Sequence, residues 1–132
     1  MAYPDFVRDN LSFLLVGNNA TTASILHLLK SSWFSDAQVT VAVSLEDATV
    51  RCASSPADLI LLDLETLGAQ ARERIQQTSQ MLAALPTLIL CNESEEELAQ
   101  ELIQIGIQGL LSKEALNPIL FSQILYQALK QI

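Results

Sequence analysis

The sequence predicts an α/β domain: a five-stranded parallel sheet with helices on both faces. Two observations carry this. Short apolar runs alternate with helical segments five times along the chain. The runs in the middle, "LILLDL" and "PTLILC", are continuously apolar rather than alternating, as strands buried on both faces must be. The chain has 132 residues, half of them hydrophobic and 5% aromatic, so one domain spanning 1–132 with a Leu/Ile/Val/Ala core is expected.

The elements follow in order. Residues 1–10, "MAYPDFVRDN", form an arm before the first strand; they lack the apolar stretch behind a positive region that marks a signal peptide. Leu11–Val16 is a strand, broken by "GNN". Thr21–Trp33 is a helix, with Ile25, Leu28, Leu29 and Ser32 at helical spacing. Val39–Val43 is β-branched and short, a second strand. Ser44 caps the next helix, which runs to about Ala53 with Glu46 and Asp47 in its first turn. After the loop "SSPAD" comes the third strand, Leu59–Asp63, and then a weakly amphipathic helix over Ala69–Leu82. Pro86–Cys91 is the fourth strand. Ser94 and Glu97 have capping-box spacing ahead of a helix that buries Leu98, Leu102 and Ile105 and ends at Gly106. Gln108–Ser112 is the fifth strand. Asn117 caps the final helix and Pro118 opens it. That helix reaches the last residue, an arrangement expected of a piece cut from a longer protein.

Composition narrows the function. The formal net charge is -8 and no basic cluster occurs, so neither nucleic acid nor an anionic membrane is an expected partner. The two cysteines, Cys52 and Cys91, lie in apolar surroundings and suit a reducing cytoplasm. No apolar run approaches the roughly 18 residues that a membrane span requires.

Ligands of open α/β sheets bind at the carboxyl ends of the strands. Those ends carry Gly17, Asn18 and Asn19; Asp63 and Glu65; Cys91 and Asn92; Ser112 and Lys113. A carboxylate ending the most hydrophobic strand carries a desolvation cost that an ammonium group on the same rim offsets.

"ADLILLDL", "LPTLIL" and "GIQGLLSK", in this order and covering nearly the whole chain, resemble the receiver domain of bacterial two-component response regulators. The resemblance implies a CheY-like, flavodoxin-like (βα)5 fold with strand order 2-1-3-4-5. It places Asp63 on the phospho-acceptor aspartate and Lys113 on the family lysine. It implies phosphoryl transfer from the phosphohistidine of a histidine kinase, with Mg²⁺ bridging carboxylates and phosphoryl oxygens. A hydroxyl at the end of the fourth strand and an aromatic residue on the fifth would then relay the change.

Five positions depart from that pattern. Gly17 and Asn18 stand where two acidic residues hold the metal, leaving Asp63, Glu65 and Asn18 as a weakened donor set for Mg²⁺. Cys91 replaces the hydroxyl residue, Leu110 stands at the aromatic switch position, and Glu114 follows Lys113 in place of proline. The parts that make the fold are intact while those that bind metal and relay the signal are altered. The expectation is therefore a degenerate pseudo-receiver that acts by protein contact and not as an enzyme. The alternative is a domain still phosphorylated on Asp63, and a more remote one is an α/β redox or hydrolytic enzyme.

Other residues have plainer readings. Asp63 alone could cap a loop, and Lys113 could be a solvated lysine. Cys91 lacks a CxxC partner and reads as a packed thiol. His27 is a helix-surface or boundary residue, and "GNNATTA" has no nucleotide-binding glycine pattern. In the final helix, Leu120, Phe121, Ile124, Leu125, Ala128 and Ile132 share a core stripe, with Ile119 and Tyr126 opposite and Leu129 near its edge. An outer apolar group suggests a contact face: a homodimer through the fourth helix, fifth strand and fifth helix, or cover by a following segment.

Overall fold

The computed structural model describes residues 11–55, 57–77, 85–104, 107 and 109–130, apart from the side chains of Asn19 and Ala69. Five parallel strands form one sheet: β1 Ser12–Val16, β2 Gln38–Ala42, β3 Leu59–Asp63, β4 Thr87–Cys91 and β5 Gly109–Ser112. Their order is β2-β1-β3-β4-β5, as the resemblance implied. Every residue of β3 and β4 is buried, which is why neither alternates in polarity.

Among the described residues four helices of two turns or more connect the strands and one follows them: α1 Asn19–Lys30, α2 Leu45–Ser54, α3 Ala71–Gln77, α4 Glu96–Ile103 and α5 Pro118–Lys130. One face of the sheet, through Leu14, Ile60, Leu62 and Ile89, packs on α2, α3 and α4, from which Ala48, Ile75 and Leu102 come. The other face, through Phe13, Leu61, Leu90 and Leu111, packs on α1 and α5, which supply Ile25, Leu29, Phe121 and Leu125. Each fully buried Leu or Ile contributes about 1.5–3 kcal/mol.

The strand ends agree with the sequence reading to within a residue, and four helices differ in instructive ways. α1 stops at Lys30 because the buried Ser32 hydroxyl turns back to donate to the Leu29 carbonyl at 2.7 Å and accepts the Phe34 N–H at 3.0 Å. Trp33 is therefore outside the helix, and its N–H donates to Ser122 Oγ on α5 at 3.1 Å. The third crossover does not wait for Ala69. A helical turn, Leu64–Leu67, begins directly after β3, and Gly68 ends it at φ 72, a conformation that favours glycine. A 3₁₀ turn then leads into α3, and residues 78–82 of the expected helix lie outside the described residues.

The capping box before α4 is not Ser94 with Glu97. It starts one step after β4: the Asn92 N–H donates to Glu95 Oε1 at 3.0 Å, opening a 3₁₀ turn that runs on into α4. Leu102 is buried as expected, with Ala99 beside it, and Leu98 is half-buried. Ile105, Gly106, Gln108 and Ile132, like the arm 1–10, lie outside the described residues.

α5 begins as expected, with Asn117 Oδ1 accepting the Leu120 N–H at 2.9 Å. Its buried stripe is Phe121, Ser122, Leu125, Ala128 and Leu129. Leu129, expected at the edge of an outer face, is only 8% exposed, whereas Leu120, expected in the core, is 37% exposed. Tyr126 is half-buried, its ring edge-on to Trp33 with centroids 6.3 Å apart. Of the expected outer group only Ile119, at 56%, stands free. Ser122 fits the buried stripe because its hydroxyl donates to the Pro118 carbonyl at 2.7 Å and accepts the Trp33 N–H at 3.1 Å.

Candidate functional site

Asp63 is the last residue of β3 and has no solvent exposure. A carboxylate taken so far out of water must be paired and hydrogen-bonded. Lys113 Nζ lies 2.7 Å from Asp63 Oδ1. The Glu65 N–H donates to the same oxygen at 3.3 Å, and the Thr66 hydroxyl donates to Oδ2 at 3.1 Å. The lysine is placed by the ladder: its N–H donates to the Cys91 carbonyl at 2.9 Å, holding the turn after β5 against β4. Its ammonium also reaches Glu65 Oε2 at 3.3 Å. Burial works against a charged lysine there, but the bonds to Asp63 and Glu65 outweigh it and hold Lys113 above the usual lysine range.

Thr66 is the residue that sequence reasoning missed. Its hydroxyl donates to Asp63 and accepts the Asn18 N–H at 3.1 Å, so it ties the loop after β1 to the carboxylate. The signal was present in "DLET": once Asp63 caps a turn, the residue three positions on faces back to it. Thr66→Val is expected to cost about 1–3 kcal/mol, because it leaves Asp63 and Asn18 each short of a partner. Urea unfolding checks this, with Thr66→Ser close to the parent.

Asn18 is the cap of α1, its Oδ1 accepting the Thr21 N–H at 2.9 Å. Gly17 is buried beside Asp63. A Cβ on it would lie 3.5 Å from the Cβ of Asp63 and 3.6 Å from that of Thr21, ordinary contacts that a Cβ makes without strain. Cys91 is buried in the core on the α2–α4 side of the sheet, and burial, then Glu96, Glu95 and Glu114, push its thiol up, which makes it a poor nucleophile. Leu110 is half-buried against the same cluster. Glu114 joins the loops after β4 and β5, because it accepts from the Ser112 hydroxyl at 3.2 Å and from the Glu93 N–H at 3.3 Å. His27 is exposed in the last turn of α1.

The structure therefore brings Gly17, Asn18, Asp63, Glu65 and Lys113 together on one rim. Cys91 sits beside it in the core, and Leu110 lies farther back, half-buried on the edge strand β5. Mg²⁺ takes hard oxygen ligands in a near-octahedral shell, usually with one or two carboxylates. The donors available here fit it poorly: both Asp63 oxygens and the Asn18 oxygen already accept hydrogen bonds, and Glu65 pairs with Lys113. Among the described residues no group of three or more His, Cys, Asp or Glu side chains could hold a metal ion. A cleft of about 290 Å³ opens beside the pair, between Lys113 and Glu65 on one side and Ile25, Leu28 and Leu116 on the other.

No protein-family model matches the chain, and no curated protein matches it. Solved structures do. The signal receiver domain of a Luxo repressor protein from Vibrio parahaemolyticus is 21% identical, with 92% of each chain covered and a TM-score of 0.73. A response regulator receiver domain protein from Clostridium thermocellum is 15% identical over 92% of each chain, with a TM-score of 0.68. Full-length FixJ from B. japonicum is 17% identical, the match covering 95% of this chain and 60% of that one, with a TM-score of 0.73. At these identities the likeness concerns the fold, and the fold is that of a CheY-like receiver domain.

Proposed function

We propose that this chain is a receiver-type domain of bacterial two-component signalling that works in the cytoplasm by protein contact, with Asp63 and Lys113 as a fixed strut between β3 and β5. One observation carries the proposal. Asp63 has no exposure, and its two oxygens are taken by Lys113, the Glu65 N–H and the Thr66 hydroxyl. The strut reading is supported by Gly17 and Asn18 at the metal-holding positions and by the buried thiol at Cys91, a weak donor where a hydroxyl would be needed. No helix among the described residues is long and apolar enough to cross a membrane. The partner is another signalling protein, a histidine kinase included. A homodimer through α4, β5 and α5 has less support, since Leu129 is buried and Tyr126 is packed on Trp33.

The test is incubation with acetyl phosphate and Mg²⁺ followed by intact mass, beside an ordinary receiver as positive control. The expected result is an unmodified chain. An added phosphoryl group that disappears in Asp63→Asn would instead establish the phospho-accepting alternative.

A further inference from the structure

We propose that the outer edge of β5 accepts an extended, uncharged peptide segment of a partner protein as a sixth strand. Two independent features meet there. The first is the open edge itself. Among the described residues β5 pairs with β4 alone. The Lys113 N–H is bonded to the Cys91 carbonyl. The alternation of a parallel ladder therefore turns Leu111 and Lys113 to β4, and turns the N–H and C=O of Leu110 to the open side. Edges are commonly blunted by lysine, proline or a bulge. "GLLS", from Gly109 to Ser112, has no charged residue and no proline.

The second feature is a groove of about 590 Å³ along this edge. Gly109 and Leu110 both line it. The groove lies on the α5 side of the sheet, where Leu88, Ile124 and Ala128 pack, and it reaches the strand edge at Leu110. Leu88, Trp33 and Ile124 supply apolar wall, and the exposed Gln123 lies on the rim. The groove is open because residue 109 is glycine: a Cβ there would come within 3.3 Å of Leu88 Cδ2. No lining residue is charged, in a chain of net charge -8.

Strand addition draws affinity from main-chain hydrogen bonds and specificity from pockets that take alternate side chains. The open Leu110 amide and carbonyl offer the first, and the groove over Gly109 offers the second. The neutral lining selects a segment with apolar residues at every second position and no charge opposite the groove. A second copy of this chain fits worse. Its own β5 brings a glycine to the groove-facing position and would leave both grooves empty, and each copy carries a charge of -8. Gly109 is at the start of β5, while Asp63 and Lys113 are at the strand ends, so the proposal stands whether or not Asp63 accepts a phosphoryl group.

The test pans a phage-displayed library of random linear peptides on the whole chain. It then measures the synthetic winners through the emission of Trp33, the single tryptophan. Peptides with alternating apolar residues are expected to shift that emission. Gly109→Leu, which fills the groove, should weaken binding at least about tenfold. So should Leu110→Pro, which removes an outward N–H and leaves the ladder to β4 intact. The same peptides N-methylated at alternate amides should fail against the unaltered chain, a readout independent of whether either variant folds. An unenriched library overturns the proposal, as does binding that survives N-methylation. A dimer that Leu110→Pro disperses in sedimentation equilibrium also overturns it, assigning the edge to a second copy.

Discussion

Lys113→Met is expected to lower folding stability by about 3–5 kcal/mol, the cost of stripping a buried charge of its partner. Asp63 has no exposure, so water cannot replace the ammonium 2.7 Å away. What remains is one hydroxyl and one N–H, too little to solvate a carboxylate in the interior. For a domain whose whole stability is about 5–15 kcal/mol, this is a large share. Urea denaturation followed by circular dichroism measures it, with a lower midpoint at unchanged slope. Asp63→Asn should cost less, because Lys113 is 22% exposed and keeps Glu65 at 3.3 Å. The double variant Asp63→Leu, Lys113→Met should recover most of the loss, since an apolar pair of similar volume needs no solvation. A loss below about 1 kcal/mol in Lys113→Met would place the pair with ordinary surface salt bridges and sink the strut.

The pair was legible in the sequence, and the manner of its solvation was not. A continuous apolar run announces a strand buried on both faces, and so "DLILLDL" located β3 to the residue. The order of the strands came with the resemblance, since periodicity says nothing about which strands are neighbours. Thr66 escaped because its role exists only after Asp63 caps a turn, a contact between residues that composition treats as unrelated. "NESEEE" holds two overlapping frames with capping-box spacing, Asn92 with Glu95 and Ser94 with Glu97. The chain takes the earlier one because Asn92 directly follows β4 and its N–H must be satisfied there. α5 misled for a similar reason: a serine in the stripe looks solvent-facing until Trp33 and Pro118 are found bonded to it.

Gly17→Asp combined with Asn18→Asp is expected to create a magnesium response that the unaltered chain lacks. The substitution is compatible with the backbone. Gly17 is not in a left-handed conformation, and a Cβ there meets Asp63 and Thr21 at 3.5 and 3.6 Å. Asp caps helices as well as Asn does, so the bond from the Thr21 N–H survives at position 18. Without metal the variant should be less stable than its parent, because new carboxylates crowd Asp63 and one ammonium cannot neutralise them all. Magnesium reverses the sign: it binds the folded site and not the open chain, so at about 100 times its dissociation constant it returns about 2.7 kcal/mol. Thermal unfolding with and without millimolar Mg²⁺ reads both effects, and calcium serves as the looser competitor. The parent chain is the decisive arm. If its melting temperature also rises with Mg²⁺, then Asp63, Glu65 and Asn18 hold the ion despite their present bonds, and the phospho-accepting alternative displaces the strut. If only the variant responds, the two acidic residues missing from the end of β1 are what separate a strut from a switch on this rim.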